Sequence, residues 1–132
     1  MNKLSVIIPS RDEAENLPNC LKEIVEVLDR EKIRYEVLVI DDGSTDNTHE
    51  CVTNFIKKYP YVRYIKNNAE NGFGRAVRLG LNEFNGDAVA IMMADRSDSP
   101  TDLVNYWKVL QEGYECVLGS RFIKGSRVYN YP

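Results

Sequence analysis

Apolar and polar positions along this chain follow two periods that replace each other in turn. KLSVIIP (residues 3–9) is a short β-branched run that predicts a strand. Leu17, Leu21, Ile24, Val25 and Leu28 then recur at helical spacing, with Asn16 and Pro18 marking the start. YEVLVI (35–40) predicts a second, buried strand. Thr48, Val52, Phe55, Ile56 and Tyr59 form one face of a second helix, which Pro60 stops. YVRYIK (61–66) predicts a third strand, polar enough to lie at a sheet edge. Phe73, Ala76, Val77, Gly80, Leu81 and Phe84 predict the apolar face of a third helix, ended by Asn85-Gly86.

AVAIMMADRSDSP (88–100) starts as a fourth buried strand and finishes in charge. Ser99, Pro100 and Asp102 after it read as a helix start: a serine cap, a proline in the first turn and an acid to meet the helix dipole. Leu103, Val104, Trp107 and Leu110 give that helix its apolar face, and YECVL (114–118) predicts a fifth strand. Strands alternating with helices of this length predict an α/β fold, a three-layer α/β/α sandwich around a mainly parallel sheet with right-handed crossovers.

Composition narrows the function classes. The chain has 132 residues, enough for one domain with a real core, and its 43% hydrophobic and 28% charged residues are ordinary for a globular protein. A net charge of −3 with no basic stripe argues against a nucleic-acid partner. No signal peptide and no membrane-spanning run is visible. Cys20, Cys51 and Cys116 are odd in number and widely spaced, which suits packing in a reducing cytosol and suggests neither a disulfide nor a zinc site.

In a parallel sheet all strands end at one edge, where ligands bind. The loops expected there are PSRDEAEN, DDGSTDNT, NNAENGFGR, ADRSDSP and GSRFIKGSR, whereas the opposite edge carries plain connections such as DREK and NGD. A mixture of Asp, Gly and Arg suits a nucleotide diphosphate and a divalent cation. Turn and cap chemistry explains Gly43, Ser44 and Asp46, with Ser44 or Asp46 capping the next helix. It does not explain two adjacent acids, Asp41 and Asp42, where an apolar strand emerges; such acids accept hydrogen bonds from a nucleotide base or ribose. NGFGRA lacks the Gly-Lys-Ser/Thr ending of a Walker loop, but Gly72 lets the chain approach a ligand and Arg75 can reach a phosphate.

The stretches LSVIIPSRDEAENL, EVLVIDDGSTDNT, ENGFGRAVRLGL, AIMMADRSDSP and LGSRF together resemble the family 2 glycosyltransferases of the GT-A fold, and within them the polyprenyl-phosphate, dolichol-phosphate mannose synthase-like branch. They keep the family's order and span nearly the whole chain. The resemblance implies a nucleotide pocket bordered by Pro9, Arg11 and Glu13, with Asp41 near the base or ribose and Ala94 and Asp95 at its fourth-strand side. It implies a metal motif, usually Asp-x-Asp, in the fourth-strand loop. Met93 stands where the first Asp is usual, Asp95 matches the second, and Ser97 replaces a Gln that often assists. Magnesium commonly takes one or two carboxylates and completes its shell with phosphate and water, so Mg²⁺ or Mn²⁺ on Asp95, with Asp98 directly or through water, remains a workable site. Arg121 matches an arginine expected near the phosphates, which makes Asp95 and Arg121 the catalytic candidates.

The activity so implied is metal-assisted, inverting transfer of a sugar from a GDP- or UDP-sugar to a lipid-phosphate acceptor. A phosphate acceptor is already ionised at neutral pH, which fits the lack of an evident general base, since the lone His49 falls on the solvent side of the second helix. The family's acceptor-binding half, often with membrane-associating helices, follows this point. Residues 1–132 therefore read as a single nucleotide-sugar-binding domain of a longer enzyme, cytoplasmic and acting at the cytoplasmic membrane face, with any membrane association supplied by that further part. Alternatives are donor binding without transfer, transfer to a saccharide hydroxyl, a nucleotidyltransferase, which would want a Gly-rich basic loop after strand one, and a phosphoacceptor domain, whose paired acids normally follow the first strand.

Overall fold

A computed structural model describes residues 3–95 and 99–112. The elements alternate as read: β1 (Leu4–Ser10), α1 (Leu17–Arg30), β2 (Tyr35–Asp41), α2 (Thr48–Lys58), β3 (Val62–Lys66), α3 (Phe73–Glu83), β4 (Ala88–Ile91) and α4 (Pro100–Gln111). The strands form one sheet in the order β3-β2-β1-β4 and every pairing is parallel. The YECVL strand falls outside the described residues.

All seven residues of β1 and of β2 are buried, because both strands lie inside the sheet with helices over both faces. Period-two alternation then sorts them by face. Leu4, Val6 and Ile8 with Val37 and Val39 pack under α1, α2 and α4, whose Leu21, Ile24, Val52, Leu103 and Trp107 complete the larger core. Ile7, Leu38 and Ile40 point the other way, onto Ala76 of α3. This is the three-layer sandwich read from the sequence. β3 lies at the sheet edge, as its Arg63 and Lys66 suggested, with a half-buried pattern.

The helix signals held in part. Ser99 Oγ accepts from Thr101 N at 3.2 Å and so caps α4. At α2 the N-cap position belongs to Asn47, but Asp46 Oδ1 takes the Thr48 N–H at 3.0 Å, so Asp46 rather than Ser44 does the capping work. Asn16 opens α1 without a side-chain cap; its Nδ2 donates to Glu13 Oε2 instead. On α3 the helical spacing misassigned two residues: Phe73 is 51% and Leu81 42% exposed. The tight approach is made by Gly80, where a Cβ would come within 2.7 Å of Ile7 Cγ2. With the backbone that close, Ala76, Leu79 and the following Phe84 pack on the sheet, while Phe73 and Leu81 stay outside.

Candidate active site

The β1–α1, β2–α2, β3–α3 and β4–α4 loops all leave the carboxyl edge of the sheet. β1 carries the first of them outward between its two neighbours. Pro9 pairs with Ile40 and Ser10 with Asp41, but β1 and β4 part after Ile7 and Ile91. The missing N–H of Pro9 therefore removes no bond to β4, which explains how a proline sits in an interior strand.

A cleft of about 190 Å³ opens where β1 and β4 diverge, lined by Pro9, Ser10, Arg11, Glu13, Phe73, Met93, Ala94 and Asp95. It gathers five of the expected nucleotide-site residues: Pro9, Arg11, Glu13, Ala94 and Asp95. Ala94 is buried and Asp95 exposed, so the carboxylate stands at the cleft wall, open to solvent. A larger cavity, about 310 Å³, lies at the opposite edge among Lys3, Asp29, Ile33, Arg34, Tyr35 and Tyr61. It holds none of the expected site residues, and the carboxyl edge is where parallel sheets present ligands.

Asp41, Asp42, Gly72 and Arg75 are not in the cleft lining but beside it. Asp41 is 3% exposed. Burial pushes its carboxyl up, but the Tyr64 hydroxyl and the Ser44 amide, the latter 2.9 Å from Oδ1, outweigh that and hold it below the usual aspartate value. Both of its oxygens are thereby engaged by protein donors, Oδ1 by the Ser44 amide and Oδ2 by the Tyr64 hydroxyl. Asp42, 6% exposed, spends both oxygens on protein donors: Oδ1 accepts from Asn67 Nδ2 and Oδ2 from Gly72 N, each at 2.9 Å. Its evident work is to tie the β2–α2 loop to the β3–α3 loop. Gly43, at φ 94°, brings those loops so close that a Cβ would lie 2.7 Å from Asn71 Nδ2. Arg75 pairs with Glu70 at 3.4 Å on an exposed surface, a contact weak enough for an anionic ligand to replace. His49 is exposed, as read, and its ring leans on Tyr64 at 4.7 Å. Asp98, Ser97 and Arg121 lie outside the described residues.

Sequence reading missed Tyr64, Asp12 and Phe73. Tyr64 had a signal: in β3 it lies two residues from Val62 and shares its core-facing side, the side to which alternation also assigns Asp41. Phe73 was read as core, yet lines the cleft. Asp12 carried no signal at all, since its role depends on a neighbouring loop.

A cation must be weighed against these donors. Among the described residues no group of three or more His, Cys, Asp or Glu side chains is placed to hold a metal ion. The hard carboxylate oxygen of Asp95 on an open cleft nevertheless suits Mg²⁺ or Mn²⁺, which take few protein ligands when phosphate oxygens supply the rest. No helix among the described residues is long and apolar enough to cross a membrane.

The family model described as glycosyl transferase family 2 matches residues 5–132. A dolichol-phosphate mannosyltransferase of Pyrococcus furiosus is 36% identical over 98% of this chain and 36% of its own length. An undecaprenyl-phosphate 4-deoxy-4-formamido-L-arabinose transferase of Proteus mirabilis is 31% identical over 92% of this chain and 37% of its own. Among solved structures, a mannosyltransferase from Pyrobaculum calidifontis in complex with GDP-Man and Mn²⁺ superposes with a TM-score of 0.70 at 26% identity, over 90% of this chain and 36% of that one. The fold is thus that of the GT-A enzymes. The chain spans little more than a third of the length of the curated relatives it matches.

Proposed function

The chain belongs to glycosyl transferase family 2, and from that membership we propose that it forms the donor-binding part of an enzyme that moves a sugar from a GDP- or UDP-sugar to a polyprenyl phosphate. The observation that carries this reading is the cleft at the carboxyl edge, where Arg11 and Glu13 of the β1–α1 loop meet Asp95, more than 80 residues further along the chain. The names of the relatives, which carry dolichol phosphate and undecaprenyl phosphate, support the acceptor class. The GDP-Man and Mn²⁺ of the Pyrobaculum enzyme support a nucleotide-sugar donor and a divalent cation.

In this reading Pro9, Arg11 and Glu13 border the nucleotide, and Asp41 accepts from its base or ribose. Gly72 and Arg75 face the diphosphate, Arg75 leaving Glu70 to do so. Ala94 and Asp95 floor the sugar-diphosphate end, and Asp95 with Asp98 would hold a cation, which would supply charge neutralisation on the diphosphate. An acceptor phosphate oxygen attacks the anomeric carbon from the face opposite the nucleotide; the carbon–oxygen bond to the diphosphate breaks and its electron pair leaves with the nucleotide, inverting the centre. Arg121 and Arg75 stabilise that leaving charge. A phosphate monoester has its second pKa near 6 and needs no protein base at neutral pH. The reaction belongs at the cytoplasmic face of a membrane, where such lipids are charged with sugar from soluble donors.

Incubating the enzyme of which this chain is the proposed donor-binding part with labelled GDP-mannose or UDP-glucose, a polyprenyl monophosphate in detergent and Mn²⁺ tests the proposal, since the donor-binding part alone is expected to bind donor with little or no transfer. Lipid-extractable label, reduced about 100-fold by Asp95→Ala, is expected, a loss comparable to removing one principal charge-stabilising group. Donor binding with neither transfer nor hydrolysis supports a second reading, a domain that binds donor only, which Met93 in place of a carboxylate favours.

A further inference from the structure

The β1–α1 and β2–α2 loops are locked together by two aspartates that reach across to each other's backbone. Asp12 Oδ1 accepts from Thr45 N at 2.6 Å, from Asp46 N at 3.2 Å and from Thr45 Oγ1 at 3.3 Å. In return, Asp46 Oδ2 accepts from Ala14 N at 3.2 Å, and Ser44 Oγ accepts from Asp12 N at 2.9 Å. Asp12 holds φ at 53°, a left-handed conformation that costs free energy in any residue with a Cβ. Lys32, the other described non-glycine residue with positive φ, ends a helix, where that conformation is ordinary. Asp12 ends nothing. Its backbone is held in place by the contacts of its own side chain and amide, and strain of this kind gathers where a site must keep its shape.

The residues on either side of Asp12 are Arg11 and Glu13, both in the cleft wall, and three residues before Ser44 lies Asp41. We propose that Asp12 is a positioning residue, whose carboxylate latches the first two loops into one rigid shelf and so sets the spacing between Arg11 and Glu13 on one side and Asp41 on the other. Its role is to have the nucleotide's contacts in place before binding, so that the ligand does not bear the cost of ordering two loops. The inference rests on the donor-site reading above.

Three variants separate the latch from the backbone strain and from simple stability. Asp12→Asn keeps an acceptor oxygen, Asp12→Gly keeps the left-handed backbone but loses the latch, and Asp12→Ala loses both. GDP and UDP affinities with Mn²⁺ are measured by calorimetry on each, well below the thermal midpoint recorded for that variant. Asp12→Asn is expected within about threefold of wild type, and both Asp12→Gly and Asp12→Ala weaker by tenfold or more, the scale on which small misplacements are felt. Wild-type affinity in Asp12→Gly and Asp12→Ala, with only their midpoints lowered, overturns the latch and leaves Asp12 a stability residue. If wild type itself binds neither nucleotide, the donor-site reading falls and this inference with it.

Discussion

Asp41 depends on a residue from a different strand. Its carboxyl is held ionised by the Tyr64 hydroxyl and the Ser44 amide against the burial that opposes charge. Tyr64→Phe removes one of those donors, so the carboxyl pKa rises toward its ordinary value. Nucleotide affinity is then expected to fall about three- to tenfold, the worth of one ordinary hydrogen bond. The acid limb of its pH profile moves upward toward the ordinary aspartate value of 3.8, which titration of binding below about pH 5 would reveal; an unmoved limb would detach Tyr64 from the site. Glu36 is the counterpart at the opposite sheet edge, buried and accepting from Ser5 Oγ at 2.6 Å, from Asn85 N and from Arg63 Nη1 at 3.2 Å. Glu36→Ala strands those donors and should cost about 2–4 kcal/mol in denaturant unfolding while leaving nucleotide affinity unchanged. Composition and spacing revealed Asp41, because a charge at the end of an apolar strand stands out. They did not reveal Tyr64, Asp12 or the inward turn of Glu36, because such partnerships join loops and strands about 20 to 50 residues apart.

Helices and strands were far more legible. Alternating periods reported element type, and nearly continuous apolar runs in β1 and β2 reported burial on both faces. Phe73 and Leu81 on α3 escaped because helical spacing records which residues share a face, not how far the helix can approach the sheet. Gly80 decides that approach. Gly80→Ala would drive a methyl to within 2.7 Å of Ile7 Cγ2 and 2.8 Å of its Cδ1. Ile7 has no room to yield in the middle of the sheet, so a loss of about 1–3 kcal/mol is expected, the usual cost of overpacking a core. A stability within 0.5 kcal/mol of wild type would mean that α3 slides freely on β1 and β2. The gathering of the loops was legible because parallel topology forces every β–α loop to one edge, where the cleft lies.

For the whole molecule, two of the buried carboxyls predict how it fails in acid. In the fold, Glu36 and Asp41 both titrate below their ordinary values of 4.5 and 3.8, burial notwithstanding, because hydrogen bonds favour the charged forms. Their contribution is complete above the ordinary range and is lost as pH falls through the lower folded values. Thermal midpoints should therefore stay level from neutrality to about pH 5 and drop below about pH 4, and Glu36→Ala should flatten part of that drop. On the proposed function, the carboxyl edge is a donor site that uses a cation. Calorimetric titration of GDP and UDP, with and without Mn²⁺, on wild type and Asp95→Ala tests it most directly. Binding of one nucleotide that strengthens at least tenfold with Mn²⁺, and loses that gain in Asp95→Ala, is the expected result. Binding of equal strength with and without the cation, or unchanged in the variant, would contradict it.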